Sequence, residues 1–395
     1  MSIIDKQFEI LETKEFEEYV GAIIKVMGVG GCGCNIINDM HTFGLNDAEL
    51  IGVNTDVQSL GRINANEKIQ IGKQLRRGRG SGNKPEIGQK SAEEDRGLIE
   101  NKLTGTDMLF IVAGLGGGTG SGASPVIAEL ARSAGILTVA VVITPFKLEL
   151  NEEKTRIVEE SLASLKERAD TVITISNEKL FKVFDKNKSI HEAYSEVNRA
   201  LINIISGIVK MITVTGDQNI DFEDVKTALK EGGNAFIGIG KSGGMDRAKQ
   251  AYENAIKNPF MDDVNLAGAK IILANYAGNI TLNEIKEIEN IKAQHDAMAE
   301  DKPWVKFGWA NDQSMGDEIE VTILIAGINS GIGSLREKEE KKVKGVPLVE
   351  NINELMADNY SNEKIDIPTY QRVKIQQPAS QYKKNKNQQT PVQLN

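Results

Sequence analysis

Two cysteines, Cys32 and Cys34, are all that 395 residues contain. One residue apart, they cannot build a disulfide framework, so a reducing cytoplasm is the expected setting. A C-x-C pair with no partner histidine or cysteine also supplies too few ligands for zinc, and no residue is assigned to a metal. Positive charge is in deficit: 47 Lys and Arg stand against 56 Asp and Glu, a formal charge of −9. A surface that tracks nucleic acid needs the opposite excess, so no nucleic-acid partner is expected. No apolar run approaches the ~20 residues that span a bilayer. Residues 1–21, "MSIIDKQFEILETKEFEEYVG", lack the basic and apolar regions of a secretory signal. Missing too is a lysine after the glycines of "AGLGGGTGSGASP" at 113–125, so the Walker pattern G-x-x-x-x-G-K-[ST] is not met there.

What is present is an alternation. "AIIKVMGV", "ELIGVNT", "DMLFIVAG", "ILTVAVVITPF" and "TVITIS" are near-continuous apolar runs, and helical stretches are expected near 33–42, 86–102, 122–134 and 152–168. Strands apolar at every position predict a parallel sheet covered by helices on both faces. Residues 189–212, "SIHEAYSEVNRALINIISGIVKMI", read as one long connecting helix without proline. Beyond it "NAFIGIG", "AKIILANYAG", "WVKFGWA" and "EIEVTILIAGI" alternate with helical stretches 244–257 and 281–299 and predict a second sheet. The fold class is α/β: a parallel Rossmann-like sheet, a long central helix and a second, smaller α/β domain. The expected divisions are an extension 1–21, a first domain 22–188, the helix 189–218, a second domain 219–334 and a tail 335–395. The tail is polar and poor in apolar residues, hence expected to be disordered.

Three glycine-rich turns fall where strands should end. "GVGGCGCN" places Gly28, Gly30 and Gly33 in G-x-G-x-x-G spacing with Asp56 closing the next strand, the pattern of a dinucleotide fold. "RGRGSGNKPEIG" covers 77–88, and six glycines occupy nine positions over 114–122. A strand, a glycine turn and a helix start gather N–H groups and the positive end of the helix dipole at one point, an anion cradle. One such loop is as readily a plain tight turn. Three together suit a triphosphate better than a dinucleotide, and many N–H donors with Mg²⁺ make the lysine dispensable. A NAD-dependent oxidoreductase is the rival reading, but it explains neither 116–122 nor "NIDFEDV" at 219–225.

GGGTGSG at 116–122 resembles the signature of the tubulin family, and the order of the other motifs resembles its FtsZ branch from about 22 to 330. That resemblance implies a protein that binds GTP or GDP with Mg²⁺ and hydrolyses GTP. The first phosphate loop would be Gly30, Gly31, Cys32, Gly33, Cys34 and Asn35, the last against guanine; "NTD" would be the second, through Asn54 and Thr55. Gly80, Ser81 and Gly82 match the third, and Gly116, Gly117, Gly118, Thr119, Gly120 and Ser121 the signature itself. "TPFKLE" resembles the ribose segment, with Glu149 as its carboxylate, and "ISNEKL" the nucleoside turn, with Asn177. Tyr194 stands where the family stacks a Phe on the base, and Asn198, four residues on, where an Asp or Asn accepts from guanine.

Asp221 and Asp224, three residues apart at a helix start, can share one side and cap the helix. The resemblance adds a second role. In the family this loop enters the nucleotide site of the next subunit, and Asn219, Asp221 and Asp224 would orient the attacking water there. The partner would then be another copy, head to tail, in filaments of the bacterial division ring on the inner face of the membrane. A tubulin-like GTP-binding regulator that does not assemble is the other alternative. Cys32 and Cys34 replace family glycines at a helix N-terminus, which lowers a thiol's pKa and favours oxidation, although small fillers are the plainer reading. "LNEEKTR" lacks the family glycine after Glu149, leaving Lys154, then Arg156, as the phosphate-contacting cation. In the tail, Asp366, Ile367, Pro368, Tyr370 and Arg372 resemble the C-terminal peptide that would bind membrane-tethering division proteins.

Overall fold

A computed structural model describes residues 21–179, 189–214, 216–232, 235–257, 269–298 and 303–327. Most of the extension and the whole tail, with its peptide at 366–372, lie outside the described residues. Strands β1 (Ile24–Val29), β2 (Glu49–Asn54), β3 (Glu67–Gln70), β4 (Met108–Gly114), β5 (Leu137–Thr144) and β6 (Thr171–Ser176) form a parallel sheet. Their order is β3-β2-β1-β4-β5-β6. Chain order reverses between β1 and β4, so the connections leaving them diverge and open a crevice at their carboxyl ends.

Helices α1 (Gly30–Thr42), α2 (Val57–Arg62), α3 (Lys73–Arg76), α4 (Pro85–Glu94), α5 (Arg96–Leu103), α6 (Gly118–Ser133) and α7 (Glu152–Arg168) occupy the connections. Alternate strand residues point to opposite faces, and each face has its own core. Val26, Phe110 and Val139 pack with Ile36 and Ile37 of α1 and with the long helix Ile190–Thr213. Met27, Ile111 and Ala140 pack with Ile127 and Ala131 of α6. Burial on both sides is why these strands carry no polar alternation.

The long helix starts at a capping box in which Ser189 Oγ accepts from Glu192 N–H (3.2 Å) and Glu192 accepts from Ser189 N–H (2.8 Å). Val197, Leu201, Ile204, Ile208 and Met211 recur every three or four residues, and the same core runs on to Ile237, Leu273 and Leu324 of a second sheet. There β7 (Ala235–Gly243), β10 (Glu318–Ala326), β8 (Ile271–Gly278) and β9 (Trp304–Asn311) lie in that order. β10 is antiparallel to β7 and β8, and β8 is parallel to β9. Helices Arg247–Ile256 and Leu282–Met298 cover its other face.

Three boundaries differ from the sequence expectation. The helix expected over 86–102 is two, α4 and α5, parted at Asp95. The Asp95 carboxylate takes the N–H of Gly72 (2.6 Å), and Glu94 takes those of Gln74 and Leu75 (2.8 and 3.1 Å), so tertiary bonds break a run of good helix formers. α1 begins at Gly30 and α6 at Gly118, inside the glycine turns, because packing outweighs the poor helix propensity of glycine.

Candidate active site

A cavity of about 460 Å³ opens at the carboxyl ends of β1, β2, β4 and β5. Its walls are locked together by the turns themselves. Gly30 takes φ +74°, and a Cβ there would lie 2.8 Å from the Gly120 nitrogen, so the first turn and the signature meet backbone to backbone. The Thr119 hydroxyl donates to Ser81 Oγ (3.0 Å) and shares a 2.9 Å hydrogen bond with the Thr55 hydroxyl. One side chain thereby joins the second, third and signature turns. Arg76 grips the carbonyl of Gly80 with Nε (3.1 Å) and Nη2 (2.7 Å), fixing the third turn from behind.

Of the residues singled out in the sequence, Gly30, Gly31, Cys32 and Asn54 line the cavity from one side, and Gly80, Ser81 and Gly82 from another. Gly117, Gly118, Thr119 and Gly120 form its floor, with Glu149, Asn177 and Tyr194 completing the wall. Glu149 Oε1 accepts from the Phe146 N–H and the Tyr194 hydroxyl, both at 3.4 Å. The Phe146 and Tyr194 rings meet edge to face, 5.6 Å between centroids. Burial and the Glu149 charge raise the Tyr194 phenol above its ordinary pKa. Asn177 is buried, and its Oδ1 has no hydrogen-bond partner among the described residues, an acceptor at the cavity wall open to a donor from a ligand.

Gly33, Cys34, Thr55, Gly116 and Ser121 stand behind the wall rather than in it. Ser121 Oγ accepts from the Gly116 N–H (2.9 Å), which holds the turn's shape. Asn35 and Asn198 are likewise outside the wall; Asn198 Nδ2 donates to Asp39 Oδ2 (2.8 Å), leaving its carbonyl oxygen as the acceptor. Lys154 opens α7, where Asn151 Oδ1 caps its N–H (2.8 Å). Arg156 faces Glu160 (3.8 Å) and lines a separate cavity of about 580 Å³ among α4, α6 and α7. The structure therefore brings neither expected cation to the first cavity, whose wall contains no Lys or Arg among the described residues. Sequence reasoning also missed Ser59 in the wall and Asp39 behind Asn198, which nothing in their local patterns marks; Asn83 and Pro145, also in the wall, lie inside the quoted "RGRGSGNKPEIG" and "TPFKLE" segments.

The thiols correct an expectation. Neither cysteine has positive φ; among the described non-glycine residues only Arg77, Asn83 and Asp246 do. Cys34 is buried, its Sγ donating to the carbonyls of Gly28 (3.6 Å) and Val53 (3.7 Å), and burial pushes its pKa up to about 12. Cys32 is open to the cavity, yet the close walls and then the Glu149 charge raise it to about 11. Desolvation outweighs the helix dipole, so neither thiol is activated.

The acidic loop is elsewhere. Asp221 Oδ1 accepts from the Asp224 N–H (2.8 Å) and Asp224 Oδ2 from the Asp221 N–H (2.9 Å), a reciprocal cap on the helix Phe222–Gly232. Asn219 Oδ1 accepts from the Gly216 N–H (2.5 Å). The Asp224 N–H, then the Asp224 side chain and Lys306, hold the Asp221 carboxyl below its ordinary pKa. None of the three lines the cavity. Tyr194, in the cavity wall, and Thr213, just before the loop, lie near opposite ends of the long helix, about 29 Å apart along its axis.

Glycine turns at the crevice of a parallel sheet, tied by one long helix to a second, mixed sheet, define a tubulin-like GTPase. The Tubulin/FtsZ family GTPase domain matches residues 23–185, and the FtsZ family C-terminal domain matches 233–329. Cell division protein FtsZ of Azotobacter vinelandii is 42% identical over 324 residues, 82% of this chain and 80% of that protein. That of Coxiella burnetii is 39% identical over 365 residues, 92% and 91% of the two. FtsZ of M. jannaschii, solved as an empty dimer, superposes with a TM-score of 0.70 at 37% identity over 78% of this chain and 89% of that one. CetZ2 of Haloferax volcanii, solved as a GTPgS-bound protofilament, shares the fold at 21% identity, TM-score 0.66, over 82% and 99%. The chain belongs to the FtsZ family of cell-division GTPases. It binds GTP and GDP and hydrolyses GTP. Among the described residues no helix is long and apolar enough to cross a membrane.

Proposed function

We propose that this GTPase assembles head to tail and that each nucleotide is hydrolysed between two copies, the cavity of one closed by the acidic loop of the next. The observation that carries this reading is the separation of the two half-sites along one rigid helix. A single chain cannot fold that helix back, whereas a second copy stacked along the same axis brings its loop to the cavity. The M. jannaschii relative solved as a dimer supports such self-association. Phosphoryl transfer needs positioning and charge stabilisation more than covalent chemistry, so a loop lent by a neighbour suffices. Asp221 and Asp224, helped by Asn219, orient the attacking water; Asn35, Asn198, Glu149, Asn177 and Tyr194 select the nucleoside.

Mg²⁺ fits this cavity. The wall offers hard oxygen donors, the Asp56 carboxylate and the hydroxyls of Ser59 and Thr119, and among the described residues no cation to balance a triphosphate. Asp56 and Thr119 are the residues that would hold the ion beside the phosphates; bound, it neutralises their charge. The filaments serve the division ring at the inner face of the membrane, reached through partners of Asp366, Ile367, Pro368, Tyr370 and Arg372. Asp221→Ala protein tests the reading: it should bind labelled GTP as the parent does and turn it over at least about a hundredfold more slowly. Parent-like turnover by that variant would sink the proposal.

A further inference from the structure

β9 is an edge strand of the second sheet, and the loop that carries the aspartates is laid along it. Gln218 and Trp309 exchange both backbone hydrogen bonds, at 2.9 and 3.3 Å, and Gln218 Nε2 donates to the Phe307 carbonyl (2.8 Å). The fit is close: a Cβ on Gly308 would stand 3.0 Å from the Gln218 carbonyl oxygen, and one on Gly216 2.2 Å from that of Trp309. From the same strand, the Lys306 ammonium donates to the Asp224 carboxylate and stands 3.9 Å from Asp221 Oδ2.

We infer that Lys306 is a positioning residue for GTP hydrolysis: it holds Asp224 against β9 so that Asp224 in turn orients Asp221 toward the neighbouring molecule. This rests on the reading of the two aspartates given above. Exposure divides the roles, for the Asp224 side chain is 12% exposed and that of Asp221 63%. Two carboxylates close enough to cap each other repel, and a cation beside them offsets that repulsion. Among the described residues Lys306 is the cation paired with them; Glu223 and Lys226, on the aspartates' own helix, pair with each other at 2.7 Å. Without Lys306 that repulsion is unopposed, and Asp224 loses its anchor to the strand.

The test compares full-length Lys306→Gln, Lys306→Arg and Asp221→Ala proteins with the parent in labelled-GTP binding, sedimentation, thermal melting and kcat from pH 5 to 8. Lys306→Gln should bind GTP, sediment and melt as the parent does, while kcat falls about tenfold and its acid limb moves upward. Lys306→Arg should recover both. Parent-like kcat and acid limb in Lys306→Gln overturn the inference. So does a loss of kcat matched by a loss of folded protein, or one that Arg fails to rescue. Asp221→Ala separates the two ideas: if it is inactive while Lys306→Gln is normal, only the role of Lys306 falls. If Asp221→Ala itself turns over normally, the underlying reading falls.

Discussion

Gly117 and Gly118 are neighbours in one turn, yet an added methyl would meet open space at the first and, at the second, the Ser81 hydroxyl at 2.3 Å and the Lys84 nitrogen at 2.6 Å. Gly118 serves packing, where the third turn leans on the start of α6. Gly117, with an extended backbone any residue can adopt, faces the cavity with nothing of the fold against it. Gly118→Ala should therefore destabilise the fold by about 1–3 kcal/mol through overpacking. Gly117→Ala should leave stability within about 0.5 kcal/mol but weaken GTP binding about tenfold. Melting curves and nucleotide titrations of the two proteins decide it; equal effects on both readouts would contradict the assignment. Cys32 and Cys34 belong to the same scale: small side chains in a glycine-rich turn, with thiols whose pKa burial raises.

Among elements, the second sheet is bound to its helices by a buried charge cluster. Arg247 reaches Glu284 Oε1 (3.0 Å), Asp317 Oδ1 (2.9 Å) and the carbonyl of Asn279 (2.8 Å). Burial works against the Glu284 charge, but bonds from Thr281 and Arg247 outweigh it and bring its pKa from 4.5 to about 2. A depressed carboxylate pKa stabilises the fold fully above its ordinary value, and that contribution is lost as pH falls from 4.5 through 2. The loss amounts to about 3 kcal/mol. Urea midpoints at pH 6 and pH 3 should thus converge more closely in Glu284→Gln than in the parent; an equal acid drop in both would count against the cluster. None of this cluster was legible in the sequence, because its partners are up to 70 residues apart. The same holds for Asp95, whose break of a helical run depends on Gly72, and for Lys306, an unremarkable residue in a strand. The strands, the glycine turns and the long helix were legible, since hydrophobic period and turn chemistry are local. The residues of the cavity wall were legible mainly through a family order of motifs, and the cation expected at 154 or 156 was not found in that wall.

At the scale of the whole molecule, the proposed head-to-tail assembly would use each copy as a donor at one end of the long helix and as an acceptor at the other. Specific activity should then depend on assembly: absent for isolated chains, half-maximal for dimers with one completed site between two subunits, and approaching a plateau in long stacks. Phosphate release followed beside light scattering over a range of protein concentrations checks this; turnover per chain independent of concentration would refute it. In the proposed assembly a row of n subunits would hold n − 1 finished sites. One terminal subunit would keep its nucleotide uncut because no neighbour reaches it, and the arrival of a newcomer at that end would start the clock on the nucleotide it covers. The two tips of such a row would be chemically unlike, so its age would be written along its length.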